Sequence, residues 1–440
     1  MYFSHYGPIV ESATLPWNHQ KAYAVRDANL NNRQSGVTYD ALNKATSVAE
    51  VEAAISNQGV SWTNTIAADR HGKAFYGDIS VTPGVDTALL ERCRVALAAL
   101  PAREVVLDGA RPDCAWRDDD RSAVPGALPA EEMPRLVRTD YVANSNDSYW
   151  LSNPKAPLEG YSPIIGSERT ARSLRTRAGL TFIAEAVSAG KIGPEEMQAM
   201  LGSQRNFGAE LLLDDVLQIC AADLEPVQLD ERIVDVKPAC NALAAWDRRM
   251  TVDSRGGHVW REFWRTAQNI ENVFRVPFDS SDPVGTPRGI AVENAVVRGA
   301  LLESLASAQV TLQEAGIALD ARLGDIQFAE RNGDRIPVPG GEGWAGMWSM
   351  IIAELAPEVG YSPIRHGNSY MQVISWDEDG KLDPRAIVTY SQSPEPDSPH
   401  YADMTRLYAE GKWIRLPFEE AEIAADPNLE TLNLSSRDTR

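Results

Sequence analysis

The chain has 440 residues, of which 43% are hydrophobic and 24% are charged, and its formal net charge is -20 at pH 7. This composition is typical of a globular protein with two or three domains, or with one large α/β body. The acidic balance argues against nucleic acid and anionic membranes as partners, because phosphate binding needs clustered lysine and arginine. No apolar run approaches the ~20 residues that span a bilayer, and no signal peptide is recognisable at the start.

The first part of the chain combines strand patterns with one short helix. Ser47 and Glu50 have the spacing of a capping box, which predicts a helix that ends near Gly59. A turn at residues 69–72 then joins two segments in which apolar and polar residues alternate, as in a β-hairpin. The predicted strands are residues 2–10, 22–25, 62–68 and 73–81.

An acidic run follows at Asp118, Asp119 and Asp120. Clustered carboxylates can bind calcium, but this run lacks the alternating ligand spacing and the glycine of a calcium loop. We therefore interpret it as a solvated turn.

The four cysteines form two pairs, each about twenty residues apart in sequence. Metal binding would favour closer spacing and neighbouring histidines. Two local disulfides in an oxidising compartment are the preferred interpretation, and four buried free thiols are the alternative. The cysteines are Cys93, Cys114, Cys220 and Cys240.

The most unusual stretch is residues 141–179. Residues 144–148 read Asn-Ser-Asn-Asp-Ser and are bracketed by aromatic residues. Such side chains imitate backbone turns, so a tight irregular turn would explain the block without any function. The flanking aromatics and an arginine cluster about thirty residues later favour a functional loop, because binding groups concentrate in polar loops on rigid scaffolds. The arginines are Arg172, Arg175 and Arg177.

Residues 173–318 have the periodicity of successive helices, at about 174–187, from 194 onwards, and at 209–220, 258–270 and 291–305. Gly190 suits the end of the first helix, and Pro194 suits the start of the second. Trp260, Phe263 and Trp264 form an aromatic stripe that is more typical of a core than of a ligand site.

Strand patterns return after Gly324, at residues 325–330, 369–376 and 386–391. Residues 344–355 are mostly apolar and fit either a strand or a buried helix. Residues 337–341 and 360–363 are predicted linkers, and a last helix is expected near 401–410.

The order of strands, helices and strands predicts an α+β fold with a largely helical insertion. We divide it into a sheet and helix region (1–172), a mainly helical region (173–322) and returning strands with a tail (323–440).

No motif in the sequence supplies a nucleophile with a base beside it. The six histidines lack zinc-ligand spacing, and neither a nucleophile elbow nor a phosphate-binding glycine loop occurs. An asparagine amide in a preformed turn could instead stabilise an oxyanion, which lowers a barrier by roughly 3–4 kcal/mol in measured cases.

Several blocks together resemble the penicillin acylase superfamily, most of all its branch of acyl-homoserine lactone acylases and aculeacin-type acylases. The most specific are NSNDSYWLSNPKAPLEGYSPIIG followed by RSLRTR, and TYSQSPEPDSPHY near the end. HYGPIV and GVSWTNTIAADRHGKAFY also agree, so the resemblance runs over nearly the whole chain in order. It implies an N-terminal-nucleophile hydrolase, with part of an αββα core.

In that family a precursor cleaves itself and exposes a serine, whose hydroxyl attacks an amide with its own α-amine as base. The oxyanion-binding asparagine of the family matches Asn146. The supporting arginine matches Arg175 best, with Arg172 and Arg177 open. Trp62 and Tyr39 match aromatics that line the acyl pocket. The resemblance also implies the Cys93–Cys114 disulfide, a small acyl amide substrate, and a periplasmic or secreted location; we expect no cofactor and no metal.

The family's β-subunit begins with that serine well upstream of the HYGP block. Ser4 cannot replace it, because such a nucleophile needs a free α-amine. We therefore expect the chain to be the rear of a β-subunit, without the α-subunit and the front of the β-subunit, and to be inactive and prone to association alone. Alternatives are a non-catalytic scaffold that needs a partner chain, and an extracellular binding domain.

Overall fold

The chain divides into two units by its internal contacts, Met1–Ala171 and Arg172–Arg440, in a computed structural model that describes residues 1–97, 104–190, 192–222 and 224–433. Both units combine helices with small antiparallel sheets, so the expected α+β class is confirmed. The predicted regions 173–322 and 323–440 stay a prediction, and residues 434–440 of the latter lie outside the described residues.

The first unit contains two three-stranded sheets, with the strand orders β1-β2-β3 and β4-β5-β6. Short 3-10 turns lie at Pro112–Cys114, Ala130–Glu132 and Tyr149–Leu151. The elements in chain order are β1 (Phe3–Ser4), β2 (Gly7–Val10), β3 (Tyr23–Ala24), α1 (Ser35–Lys44), α2 (Val48–Ile55), β4 (Thr65–Ala68), β5 (Ala74–Gly77), α3 (Thr87–Cys93) and β6 (Arg135–Arg138).

The predicted hairpin is confirmed as β4 and β5, and β6 extends it. The turn closes where the amide of Asp69 donates to the carbonyl of Lys73 at 3.0 Å. Alternation sends Phe75 to one face, where it packs in a cluster with Val48 and Ile55 of α2. The next residue, Tyr76, packs in a separate buried cluster. The alternation of residue types in the hairpin sequence arises because successive strand residues face opposite sides of the sheet.

The prediction of one long strand over residues 2–10 is wrong, because β1 and β2 form a small hairpin instead. The hydroxyl of Ser4 accepts from the amide of Tyr6 and donates to the carbonyl of Gly7, which reverses the chain. Gly7 has φ +142°, and a Cβ there would lie 2.1 Å from the carbonyl oxygen of Val25. A side chain at this position would prevent the pairing of β2 with β3.

The second unit holds the larger core and the disulfide-linked helices. Its elements are α4 (Leu174–Ala189), α5 (Pro194–Gly202), α6 (Phe207–Cys220), β7 (Val227–Leu229), β8 (Arg232–Val234), α7 (Lys237–Ala245), α8 (Gly257–Ala267), β9 (Phe274–Val276), β10 (Arg288–Ile290), α9 (Ala295–Glu314), α10 (Leu323–Ile326), β11 (Phe328–Arg331), β12 (Asp334–Pro337), β13 (Ile351–Ala356), β14 (Gly360–Gly367), β15 (Tyr370–Trp376), β16 (Leu382–Val388), α11 (Asp403–Ala409), β17 (Ile414–Arg415) and α12 (Glu420–Ala424).

In the second unit, one segment that the sequence left open and one predicted linker both lead into strands. The apolar run at 344–355 has a 3-10 turn at Gly343–Ala345 and then enters β13. Residues 360–363, predicted as a linker, instead begin β14, which pairs with β13. Glycine and proline suggested a loop, but Tyr361 is fully buried and anchors the strand, and a two-stranded sheet tolerates Pro363 at its edge.

The aromatic stripe on α8 belongs to the core, as predicted. Trp260, Phe263 and Trp264 are each at most 1% exposed. The indole rings of Trp260 and Trp264 are stacked, with centroids 5.6 Å apart. Burying such rings contributes much of the apolar stabilisation of this unit.

Arg261 lies on the same helix and is buried in a polar network. Its guanidinium pairs with Glu342 and donates to the carbonyl of Ala353 at 2.7 Å and to Gln327 at 3.0 Å. It also lies 3.9 Å from the ring centroid of Tyr361. This network joins α8 to β13, β14 and the segment before them.

The cysteines form two disulfides, Cys93–Cys114 and Cys220–Cys240, with Cα atoms 5.5 and 5.7 Å apart. The alternative of four free thiols is therefore wrong. Among the described residues, Cys93, Asp113 and Cys114 are grouped closely enough to share a metal ion, but the two sulfur atoms are bonded to each other.

We predict that Arg261→Met destabilises the chain by about 3–5 kcal/mol, because it leaves the Glu342 carboxylate buried without its cation. The double variant Arg261→Met/Glu342→Met should recover most of this loss, since both charges are then absent. Urea denaturation of the single and double variants measures the difference. A double variant as unstable as Arg261→Met would contradict the account.

We predict a pH-dependent loss of stability from His258. Burial lowers the pKa of this histidine from 6.5 to about 4. Its Nε2–H donates to the carbonyl of Ala318 at 2.9 Å, and among the described residues the buried Nδ1 has no partner. Between these pH values the unfolded chain binds the proton and the folded chain does not, so stability falls as pH drops through this window.

The expected contribution of His258 is about 3 kcal/mol between pH 7 and pH 4. Denaturation at several pH values should show a loss that is smaller by this amount in His258→Gln. The exposed His19 supplies the control, and His19→Gln should follow the parent chain. Parallel pH profiles for the parent and His258→Gln would contradict the assignment.

Candidate active site

The polar block at residues 144–148 forms a tight turn in the first unit. The side-chain oxygen of Asn144 accepts from the amide of Asn146 at 2.8 Å, and its amide nitrogen donates to the carbonyl of Asp147 at 3.1 Å. Asn146 itself has φ +67°. Asparagine is one of the few residues that adopt this left-handed conformation readily. The turn therefore fixes the backbone that carries the Asn146 side chain.

Two buried aromatics anchor the turn from its C-terminal side. The hydroxyl of Tyr149 donates to Glu168 at 2.7 Å, and the indole nitrogen of Trp150 donates to Glu159 at 2.9 Å. Burial and the nearby Glu168 carboxylate both raise the pKa of Tyr149. Because both rings are buried and their polar atoms are paired, the residues that follow the turn have little freedom to move.

A second set of bonds ties the residues after the turn to the segment that follows β6. Asn153 is fully buried, and its amide nitrogen donates to the carbonyl of Tyr141 at 2.8 Å and to Asp140 at 3.2 Å. The amide of Ala143 donates to the carbonyl of Ser152 at 2.8 Å. Hydrogen bonds from Arg138 hold the pKa of Asp140 well below its usual range. Both ends of the turn are thus fixed.

Tyr76 on β5 is buried, and Asp78, just after this strand, is partly buried beside it. Burial raises the pKa of Tyr76, and the carboxylate of Asp78 adds to the effect. Burial also raises the pKa of Asp78, against a hydrogen bond from Ser80 at 2.9 Å. The hydroxyl of Tyr76 donates to Asn64. These groups are candidates for supporting the turn, and the tyrosine stays neutral at physiological pH.

The three candidate arginines lie in the second unit and differ in burial. Ser173 caps α4 by accepting from the amide of Thr176. Arg172 and Arg177 are buried, whereas Arg175 is only half-buried. The Nε of Arg175 donates to the carbonyl of Trp348 at 3.4 Å.

Arg177 is buried and makes its contacts within the second unit. Its Nε donates to the carbonyl of Val284 at 2.8 Å, and its guanidinium lies 5.7 Å from the ring centroid of Phe207. Burial lowers the pKa of Arg177 to about 10, although Asp282 opposes the shift.

The two aromatic residues expected at an acyl pocket are on the surface of the first unit. Trp62 is 79% exposed before β4, and Tyr39 is 55% exposed on α1. A groove of about 850 Å³ runs between α1 and α2, but neither residue lines it. Their contact with an acyl chain stays a prediction.

Sequence reasoning missed Glu159 and Glu168, which hold the anchoring aromatics. Glu168 also accepts from the amides of Gly160 and Tyr161 at 3.0 and 3.1 Å. No local pattern marks these glutamates, because their partners lie 9 and 19 residues earlier in an irregular segment. The useful signal would have been the aromatics, since a buried tyrosine or tryptophan needs a partner for its polar atom.

Comparison with known sequences identifies the family of this chain. A model of the family described as penicillin amidase matches residues 1–425. The chain belongs to the penicillin amidase family. The expected resemblance is therefore confirmed, and it extends over both units.

Two curated relatives illustrate the similarity. The acyl-homoserine lactone acylase PvdQ of Pseudomonas savastanoi pv. phaseolicola is 34% identical over 445 residues, covering 100% of this chain and 56% of the relative. The aculeacin-A acylase of Actinoplanes utahensis is 38% identical over 447 residues, covering 99% and 55%. The chain thus spans about half the length of the curated relatives it matches.

A solved structure shows the fold. The thermostable penicillin G acylase from Alcaligenes faecalis matches with a TM-score of 0.54 and 15% identity, over 99% of this chain and 78% of that one. At this identity the match carries the fold alone, and it confirms the expected fold class. Within the described ranges, no helix is both long and apolar enough to cross a membrane.

We predict that Tyr149→Phe loosens the turn. The change removes a hydrogen bond to a carboxylate, which costs about 1.5–3 kcal/mol. Hydrogen exchange of the amides at residues 144–153 should speed up, and stability in urea should fall. Tyr39→Phe is the matched control, because that side chain is exposed. Equal exchange in both variants would show that the Glu168 contact does not hold the turn.

Proposed function

We propose that this chain forms part of an amide hydrolase that removes an acyl group from a linear amide. Membership of the penicillin amidase family supports this, as do the names of two relatives, both acylases. The observation that carries the proposal is the turn that presents Asn146 from a scaffold fixed at both ends.

In this proposal Asn146 donates a side-chain N–H to the oxyanion. The carbonyl oxygen of an amide gains negative charge when a nucleophile attacks the carbon. A donor that is already in place stabilises this charge without reorganising during the reaction. The bonds made by Asn144, Tyr149 and Asn153 supply that preorganisation for the backbone of the turn. Asn146 is exposed, as a residue that meets a substrate must be.

Arg175 is proposed, from the family resemblance, as the arginine that supports the reaction. A guanidinium has several donors in a fixed plane, which suits it to orient polar groups. Arg175 is the most accessible of the three candidate arginines, and it lies in the first turn of α4. The burial of Arg177 and its bond to Val284 favour a structural role for that residue.

The attacking hydroxyl is proposed to come from a serine at the start of polypeptide outside these 440 residues, namely the front of the β-subunit, assembled with an α-subunit. Ser4 is unsuitable, because it lies within the chain and its hydroxyl bonds to Gly7 and Tyr6. The match to about half of each relative's length is consistent with such an assembly.

The proposed reaction has two steps. The serine's α-amine, with an ordinary pKa near ~8, takes the hydroxyl proton as the oxygen attacks the carbonyl carbon. The substrate's amine then leaves with this proton, and an ester links the acyl group to the serine. Water then attacks the ester and releases the acid, and each tetrahedral intermediate places its oxyanion opposite Asn146.

The proposed substrates are N-acyl-homoserine lactones, penicillins or acylated lipopeptides. The names of the acyl-homoserine lactone and aculeacin-A relatives support the first and last classes. A periplasmic or secreted location is consistent with two disulfides, because such bonds persist in oxidising compartments.

We predict that Asn146→Ala lowers kcat by about 10²–10³ in the assembled enzyme, with little change in KM, because the lost bond is made mainly in the transition state. Release of a chromogenic amine from an acyl amide measures the rate. Asn272→Ala is the matched control, because Asn272 is also exposed and has φ +55°. Its replacement by alanine therefore removes the same preference for a left-handed backbone as Asn146→Ala does. Equal kcat losses in the two variants would contradict the assignment.

The origin of the nucleophile is tested separately. The 440-residue chain alone should release no amine, and the DNA upstream of codon 1 should continue in frame to a Gly-Ser junction. Turnover by the isolated chain would contradict the proposal. A stop codon directly upstream would instead support the alternative, a non-catalytic scaffold that needs a partner chain.

A further inference from the structure

Two hydroxyl groups of the first unit are buried close to the turn that carries Asn146. Tyr76 lies on β5, the central strand of the β4-β5-β6 sheet, and is fully buried. Ser152 follows the turn in sequence and is only 1% exposed. Because both side chains are shielded from water, each hydroxyl needs a hydrogen-bond partner inside the protein.

The ring of Tyr76 packs against residues on both sides of the turn. It shares a buried cluster with Tyr149, and Val142 packs against the same cluster. Tyr149 comes directly after the block 144–148, and Val142 comes shortly before it. Apolar contact of this kind is non-directional, so the orientation of the turn depends on hydrogen bonds.

Ser152 joins the two ends of the turn. Its hydroxyl donates to the carbonyl of Tyr149 at 2.7 Å, and its backbone carbonyl accepts from the amide of Ala143 at 2.8 Å. Ala143 and Tyr149 are the residues on either side of the block 144–148. A shift of Ser152 would therefore move both ends of the turn together.

The hydroxyl of Tyr76 connects Ser152 to the sheet. It donates to Oδ1 of Asn64, which directly precedes β4. Burial raises the pKa of Tyr76, and a hydrogen bond with the Ser152 side chain opposes this rise. A buried hydroxyl that has partners on both sides is held in one orientation, and such networks make a structure more rigid.

We propose that Tyr76 and Ser152 are positioning residues for the proposed reaction, and that their hydroxyls orient the turn so that the Asn146 amide is in place before the substrate binds. This inference rests on the proposed function. Both side chains are buried, so they act through Asn146 and not on the substrate. A donor that must reorganise during the reaction loses part of its stabilising effect, and the two hydroxyls prevent this loss.

The first test measures kcat and KM of the assembled enzyme with a chromogenic acyl amide. Tyr76→Phe and Ser152→Ala each remove one hydroxyl and keep most of the packing. Each should lower kcat about three- to tenfold and leave KM unchanged, because the loss concerns the transition state. Each rate is divided by the concentration of serine that an acylating inhibitor titrates, so that a loss of folded enzyme is not counted. A parental kcat in both variants would overturn the inference.

The matched controls are Tyr6→Phe and Ser56→Ala. The hydroxyl of Tyr6 donates to the carbonyl of Gly109 at 3.0 Å, and that of Ser56 donates to the carbonyl of Glu52 at 2.8 Å. Both bonds lie in the first unit and away from the block 144–148 in sequence. The controls should keep the parental kcat, and losses equal to those of the test variants would contradict the inference.

An Asn146→Ala background separates positioning from a general structural effect. The turn then carries no donor to orient, so the addition of Tyr76→Phe or Ser152→Ala should lower kcat no further. A full three- to tenfold loss in this background would overturn the inference and leave the proposed function intact. A parental kcat in Asn146→Ala alone would overturn both.

Hydrogen exchange of the 440-residue chain tests the geometry without turnover. The amide of Asn146 donates to the side chain of Asn144 at 2.8 Å, and it should exchange about three- to tenfold faster in Tyr76→Phe. If Tyr76→Phe fails to fold, Asn64→Ala replaces it, because Asn64 is exposed and its removal leaves the same hydroxyl without this acceptor. Unchanged exchange at Asn146 in a folded variant would show that the hydroxyl does not hold the turn.

Discussion

A buried polar atom needs a hydrogen-bond partner, and in both units the decisive partners are glutamates. In the first unit, Glu168 and Glu159 bind the hydroxyl of Tyr149 and the indole nitrogen of Trp150. In the second unit, Glu342 pairs with Arg261, and Glu262 accepts from the hydroxyl of Tyr361 at 2.7 Å. Each contact pairs a polar atom of a large buried side chain. The Arg261–Glu342 and Tyr361–Glu262 contacts also join segments that are distant in sequence.

The candidate site depends on this constraint. Asn146 is exposed, but Asn153 ties the segment before the turn, and the buried rings of Tyr149 and Trp150 follow the turn. An oxyanion donor is effective only when its position is set before the reaction, because reorganisation would cost part of the stabilisation. A flexible polar loop with the same sequence would therefore be a poor catalyst, whereas this turn combines an exposed amide with a fixed backbone.

Local patterns predicted much of this chain. The alternation around Phe75 and Tyr76 identified the hairpin, the aromatic stripe on α8 identified a core helix, and the Asn-Ser-Asn-Asp-Ser block identified the turn. Contacts between distant residues were not predictable, since no periodicity links Arg261 to Glu342 or Tyr149 to Glu168. The segment at 360–363 was misread for the same reason, because the burial of Tyr361 in the second unit outweighed the loop preference of its neighbours.

We propose that the side chain of Asn146 binds the oxyanion. The most direct measurement is a crystal structure of the assembled enzyme whose serine carries a tetrahedral phosphonate that imitates the intermediate. Nδ2 of Asn146 is expected to lie about 2.7–3.1 Å from the phosphonyl oxygen. A phosphonyl oxygen held only by other donors, with the Asn146 side chain turned away, would contradict it.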